Sequence, residues 1–146
     1  MSTIEKLLGS NSSEVWTISP EASVFDAIKQ MSDKSVGALP VVDNDSLVGI
    51  ISERDYARKV ILKDRNSKET RVKDIMTDKV FYVIPSQKIE ECMTLMTEHH
   101  IRHLPVVTDG KLSGMVTVGD VVKFIISDQK FKIEQLENTI SWGESY

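Results

Sequence analysis

The chain has 146 residues, 40% hydrophobic and 27% charged, the balance of a soluble globular protein of one compact domain or two small, tightly packed ones. Eighteen Lys and Arg against 22 Asp and Glu give a net charge of −4, so neither a general nucleic-acid binder nor a membrane-surface protein is expected, although a local basic pocket is compatible with it. No apolar run is long enough to span a bilayer. The single cysteine, Cys92, excludes an intramolecular disulfide and a cysteine-cluster metal site.

In chain order, Ile4-Glu5-Lys6-Leu7-Leu8 reads as a short amphipathic leader, followed by a turn over Gly9–Glu14. Val15–Ile18 predicts a short strand ending at Pro20. Val24, Ala27, Ile28 and Met31 then recur at offsets of three and four, the stripe of a helix with one buried face. Ala38–Val42 and Ser46–Ile51 flank Asp43-Asn44-Asp45 and predict a β-hairpin, which runs into a second helix starting near Ser52. Residues 62–71 are polar and charged, a connection.

The same order follows again. Val72-Lys73-Asp74-Ile75-Met76 is a second leader, Val80–Ile84 a strand, and Ile89, Cys92, Met93 and Met96 a helical stripe. His103–Val107 and Leu112–Val116 flank Thr108-Asp109-Gly110 as a second hairpin, with a helix from about Thr117. After Asp120 neither Pro nor Gly occurs until Gly143. Ile133, Leu136 and Ile140 keep helical spacing, so a long C-terminal helix or a helix pair is expected, with an apolar stripe suited to a second subunit.

The recurrence is gapless. Residues 15–61 return at 80–126, displaced by 65, with 11 of 47 positions identical, among them Pro20/Pro85, Leu39-Pro40-Val41-Val42/Leu104-Pro105-Val106-Val107, Gly49/Gly114 and Asp55/Asp120. About 50 residues bury too little apolar surface alone, so two copies are expected to share an interface about a pseudo-twofold axis, leaving two related clefts between them. The predicted fold is α+β, two β-α-β-β-α repeats and a C-terminal helical extension. The expected divisions are 1–68 (repeat 1 with its leader and linker), 69–127 (repeat 2) and 128–146 (helical tail).

Each hairpin ends in Gly, two apolar residues, a hydroxyl, two variable residues and Asp: Gly49 to Asp55 and Gly114 to Asp120. A hydroxyl followed three residues later by an acid resembles a capping box, which would simply start the helix. Its occurrence in both copies, facing a cleft, also suits a ligand. Helix-opening amides favour phosphate, the Ser52 or Thr117 hydroxyl adds a donor, and ionised Asp55 or Asp120 accepts from the two hydroxyls of one ribose. Arg54, Arg58 and Lys59 supply cations in repeat 1, where repeat 2 has Gly119, Lys123 and Phe124.

These motifs, the Leu-Pro-Val-Val strands and the tandem spacing closely resemble a pair of cystathionine-β-synthase (CBS) domains. Ser-Glu-Arg-Asp-Tyr-Ala-Arg-Lys, Ile-Arg-His-Leu-Pro-Val-Val and Thr-Val-Gly-Asp-Val-Val are similar to the small stand-alone two-CBS proteins. The resemblance covers about residues 4 to 126 and implies a non-enzymatic regulatory module. Such a module would bind AMP, ADP, ATP, NAD or an S-adenosyl compound between its repeats, form a disk-like homodimer and signal to another protein.

Carried over, the hydroxyl and ribose acid are Ser52 with Asp55 and Thr117 with Asp120, near Val118 and Gly119. The base is implied between Thr17, Ile18, Ser19 and Pro20 and the strand start Gly37, Ala38, Leu39 and Pro40. In repeat 2 the matching sets are Tyr82, Val83, Ile84, Pro85 and Arg102, His103, Leu104, Pro105. Gly37-Ala38 leaves room for a ring while Arg102-His103 brings phosphate donors, so the clefts are unequal.

Other features have plainer readings. His99, His100 and His103 lack a matching carboxylate or thiol set, so solvated or phosphate-facing histidines are expected rather than a metal site. Cys92 reads as a packed thiol, the methionines as core, Trp16 and Phe81 as matched core aromatics with base stacking the alternative, and Trp142 and Tyr146 as a packing or dimer feature. No nucleic-acid, membrane or catalytic-cofactor role is expected. One cysteine and the opening Met-Ser-Thr-Ile-Glu-Lys suggest the cytoplasm, or an organelle matrix where a targeting segment has been removed. Alternatives to the sensor are a ligand-free structural dimerisation module and a nucleotide-processing enzyme.

Overall fold

The computed structural model describes residues 2–10 and 15–144, without the side chains of Ser10 and residues 138–144. Its elements are α1 (Ile4–Ser10), α2 (Val24–Lys34), β1 (Ala38–Asp43), β2 (Ser46–Ser52), α3 (Glu53–Lys59), a 3-10 turn at Ile61–Lys63, α4 (Val72–Ile75), α5 (Ile89–His99), β3 (His103–Thr108), β4 (Lys111–Thr117) and α6 (Val118–Glu144). The α+β pair of repeats predicted from the sequence is present.

The hairpins are copies down to their irregularity. In β1–β2, Ala38 opposes Ser52, Val41 opposes Gly49 and the register slips between Val41 and Val42. In β3–β4, His103 opposes Thr117, Val106 opposes Gly114 and the slip falls between Val106 and Val107. Each turn places two residues at positive φ, Asn44 and Asp45 (49° and 67°) and Asp109 and Gly110 (52° and 78°), the requirement of a tight two-residue hairpin. The two buried helices are equally matched. Val24, Ala27 and Met31 line α2, and Ile89, Cys92 and Met96 line α5. Both end in a left-handed cap, at Ser35 and His100.

Two expectations change. Val15–Ile18 and Val80–Ile84 are not regular strands: each makes one parallel bridge, Ile18 to Val41 and Val83 to Val106, held by two backbone hydrogen bonds. Met93 is exposed rather than core, because the buried arc of α5 is already filled by Ile89, Cys92 and Met96. The C-terminal extension is one helix of 27 residues, α6. The parts of the predicted Gly9–Glu14 turn at 11–14, Tyr146, and the side chains of Ile140 and Trp142 lie outside the described residues.

The leaders are exchanged between repeats. Ile4 and Leu7 of α1 sit in the core formed by Val83, Ile89, Leu104, Val106 and Val116 of repeat 2. Val72 and Ile75 of α4 sit in the core formed by Val24, Leu39, Val41 and Ile51 of repeat 1. Backbone bonds repeat the exchange: Glu5 N–H donates to Pro85 O at 2.9 Å and Lys73 N–H to Pro20 O at 3.0 Å. Even the glycine contacts match, since a Cβ on Gly114 would meet Leu8 and one on Gly49 would meet Met76. Each core therefore depends on a segment that precedes the other repeat, which ties the two repeats together beside the cleft between them.

Candidate functional site

Ser52 ends β2 and caps α3. Its Oγ accepts from Asp55 N–H at 3.2 Å, while Asp55 Oδ2 accepts from Ser52 N–H at 3.0 Å and from Ser52 Oγ at 3.1 Å. Asp55 Oδ1 pairs with Lys59 Nζ at 3.1 Å, and that ammonium also donates to Ile75 O at 2.8 Å. In repeat 2, Thr117 N–H donates to Asp120 Oδ2 and Asp120 N–H to Thr117 Oγ1, both at 3.0 Å. Both acids thus close a capping box. The first amides of the helices are engaged as well, Glu53 N–H by Gly37 O and Val118 N–H by Arg102 O. The helix-opening amides at positions 53 and 55 are consequently not open to a phosphate, and side chains carry the positive potential instead.

A cavity of about 640 Å³ lies between the repeats. Repeat 1 lines it with Gly37, Ala38, Ile50, Ser52, Glu53, Arg54, Asp55 and Arg58. Thr77, Lys79, Val80, Phe81, His99, His100, Ile101, Arg102, His103 and Pro105 complete it from the other side. Phe81 and His99 stack with ring centroids 3.9 Å apart, and Arg54 Nη1 reaches His100 O at 3.5 Å across the cleft. Four fixed cations (Arg54, Arg58, Lys79, Arg102) face two carboxylates (Glu53, Asp55), so the lining is net positive in a chain that is net negative. A smaller depression of about 300 Å³ adjoins it, sharing Arg54, His100, Ile101 and Arg102 and adding Val118.

Burial and the adjacent Arg102 hold His103 below the ordinary imidazole pKa, against the opposing pull of Asp120 and Glu53. Packing in the repeat-2 core pushes the Cys92 thiol up to about 11, which leaves it protonated and unreactive. The histidines do not assemble a metal site: among the described residues no three His, Cys, Asp or Glu side chains are grouped to hold one.

Of the residues singled out in the sequence, Gly37, Ala38, Ser52, Arg54, Asp55, Arg58, Arg102, His103 and Pro105 are brought together in this cavity. The others stand elsewhere. Leu39, Val83 and Leu104 are core, Pro40 is buried in β1, and Lys59 is drawn to Asp55 and Ile75. Thr17, Ile18, Ser19 and Pro20 do not line the cavity, nor do Tyr82, Ile84 and Pro85. Thr117, Gly119 and Asp120 also lie outside its lining, and Val118 touches only the smaller depression.

Sequence reasoning missed Lys79 and Val80 as lining residues and gave Phe81 a ligand-facing role only as the alternative. Phe81, read chiefly as core, is exposed on the cavity because Val83 takes the buried place in that segment. Its partner in the repeat, Trp16, is half-buried under Lys34, whose Nζ lies 4.1 Å from the ring centroid. The matched pairs Phe81–His99 and Trp16–Lys34, each 65 residues apart, were the available signal.

The CBS domain model matches residues 8–62 and 72–127, both repeats. The chain belongs to the CBS-domain family. A mitochondrial CBS domain-containing protein, CBSX3 of Arabidopsis thaliana, is 40% identical over 98% of this chain and 72% of its own. A solved CBS-domain chain from Burkholderia ambifaria MC40-6 is 52% identical, with a TM-score of 0.84 over 88% of this chain and 96% of that one. The solved structure of CBSX2 in complex with AMP is 32% identical, with a TM-score of 0.72 over 88% of this CBS pair and 99% of that chain. No helix among the described residues is long and apolar enough to cross a membrane.

Proposed function

We propose that this CBS pair is a regulatory module that takes an adenosine nucleotide into the cavity between its repeats and passes the ligand state to a separate protein. The observation that carries this reading is the lining itself: one cavity joins a hydroxyl–carboxylate turn, an exposed aromatic face and four fixed cations. Asp55 holds the ribose, Phe81 and the small Gly37-Ala38 strand start border the base, and Arg54, Arg58, Lys79 and Arg102 face the phosphates. A carboxylate offers about four acceptor sites. Three are engaged here, by Ser52 N–H, Ser52 Oγ and Lys59. Turning the Ser52 hydroxyl toward the ligand releases one of them for the second ribose hydroxyl.

The charge balance ranks the ligands. AMP, ADP, ATP and NAD are anionic and suit a net positive lining, whereas a cationic S-adenosyl group does not. The complex of CBSX2 with AMP supports the ligand class. The Thr117–Asp120 turn, with Gly119 and Phe124 in place of Arg54 and Lys59, is assigned the weaker role. Because residues from both repeats border the ligand, its binding biases their relative setting, and that setting is the signal. The module itself carries out no reaction in this reading.

Calorimetric titration of ligand-free protein with AMP, ADP, ATP, NAD and S-adenosylmethionine tests the assignment. Heat with the phosphorylated ligands, lost in Asp55→Asn and weakened in Arg102→Ala, is expected. At about 100 times its dissociation constant the ligand should stabilise the fold by roughly 2.7 kcal/mol. No heat with any of the five would return the protein to a ligand-free dimerisation module.

A further inference from the structure

From Gln129 to Glu137, α6 stands clear of the domain. Val121 is buried, and Phe124 and Ile125 pack on the repeat-2 core, but every residue from Gln129 to Glu137 is exposed. A wholly polar helix would tolerate this. Here Ile126, Ile133 and Leu136 are 59%, 56% and 62% exposed. With Val122, Gln129 and, in the sequence, Ile140, they step by four and three alternately: 122, 126, 129, 133, 136, 140. That is a heptad, with Ile126, Ile133 and Ile140 at a and Val122, Gln129 and Leu136 at d.

We propose that the α6 helices of two copies of this chain pair in parallel over residues 122–140 as a two-stranded coiled coil. Isoleucine at a, with Leu136 at one d position, favours two parallel strands. The flanking charges choose the direction. Lys132 is at g and Glu137 at the following e, so parallel pairing sets Lys132 of each copy against Glu137 of the other. The antiparallel alignment that packs Ile126 on Leu136 sets Lys132 against Lys132 and Lys130 against Lys130 instead. Gln129 at d meets its own counterpart across the axis, which rewards the in-register arrangement. Within one copy Lys132 bridges Asp128 at 3.1 Å, holding that side chain on the flank of the seam.

Fewer than three heptads would be marginal as a free peptide. In this chain the domain has already formed the first turns of the helix, which removes the cost of nucleation. Phe131 falls at f, on the far side, and takes no part.

Sedimentation of the full chain tests the pairing. The wild type should exceed the monomer mass, and Ile133→Asp should halve the mass with the circular dichroism of the domain retained, since Ile133 touches no core. Lys132→Glu and Glu137→Lys should each weaken association about tenfold, from two attractive pairs made repulsive. The double variant should recover most of the loss, which a general surface-charge effect would not produce. A monomeric wild type, an unchanged mass for Ile133→Asp, or no recovery in the double variant would overturn the proposal. None of these readouts depends on nucleotide binding.

Discussion

Leu7→Ala isolates the exchange of leaders between repeats. Leu7 precedes repeat 1 in the chain but is 1% exposed within the repeat-2 core, against Val83, Leu104 and Val116 among others. Removing a fully buried leucine side chain costs about 2–5 kcal/mol, the transfer term plus the cavity left behind. That is a large share of a typical net stability of about 5–15 kcal/mol. The loss should be placed where the packing is. At low denaturant, amide hydrogen exchange in Leu7→Ala should accelerate across β3 and β4, residues 103–117, and leave residues 38–52 of β1 and β2 closer to wild type. Ile75→Ala, 68 residues on and buried in the repeat-1 core, should do the reverse. If both variants loosened the same hairpin, or Leu7→Ala loosened 38–52 first, the exchange would not be what holds the repeats together.

The glycine pair separates rigid from yielding neighbours: a Cβ on Gly49 would lie 2.6 Å from Met76 Sδ and 3.0 Å from Thr77 O, whereas one on Gly114 meets only side-chain atoms, the nearest being Leu8 methyls at 3.3 Å. Gly49→Ala should therefore cost about 1–3 kcal/mol in urea unfolding and Gly114→Ala clearly less. Ser52→Ala removes the hydroxyl that caps α3 and should cost about 1 kcal/mol, with weaker nucleotide binding in the same titration. His103, held below the ordinary imidazole pKa, favours the neutral form in the folded state. Its contribution to stability is complete above about pH 6.5 and is lost as pH falls from there through the folded pKa; His103→Gln should flatten that part of the stability profile. A bound phosphate would pull the pKa back up, so an NMR titration of the imidazole should move upward on adding AMP, and affinity should rise as pH falls across that window.

Most of the fold was legible because a gapless displacement of 65 makes each repeat a check on the other. Asn44-Asp45 and Asp109-Gly110 are different residues, yet both tolerate the positive φ that the turn demands. The capping acids were legible for the same reason, as Asp55 and Asp120. The exchanged leaders were not. An apolar spacing tells which face of Ile4–Leu8 is buried, not which core receives it, and the local offset of 68 instead of 65 was the trace of a separately placed segment. The first strands were overestimated because valine and isoleucine look alike in one bridge and in a full ladder. Lys79 was missed, and Phe81 read chiefly as core, because a cavity built from both repeats does not respect repeat-by-repeat correspondence.

Duplication has left similar backbones and dissimilar chemistry, and the cavity between the repeats shows both. Gly37 and His103, one position apart in the repeat frame, meet there: a Cβ on Gly37 would stand 3.5 Å from the His103 ring. That separation is ordinary van der Waals contact, so the ring of repeat 2 packs directly beside the glycine of repeat 1. One copy keeps small residues and the other brings the donors. The same division runs through the helices that follow, Arg54 and Lys59 against Gly119 and Phe124. The cavity that Asp55, Lys79 and Arg102 share therefore gathers the fixed positive charge that both repeats contribute. On the function proposed above, a ligand carrying several negative charges would settle there, because attraction adds over four cations against two carboxylates.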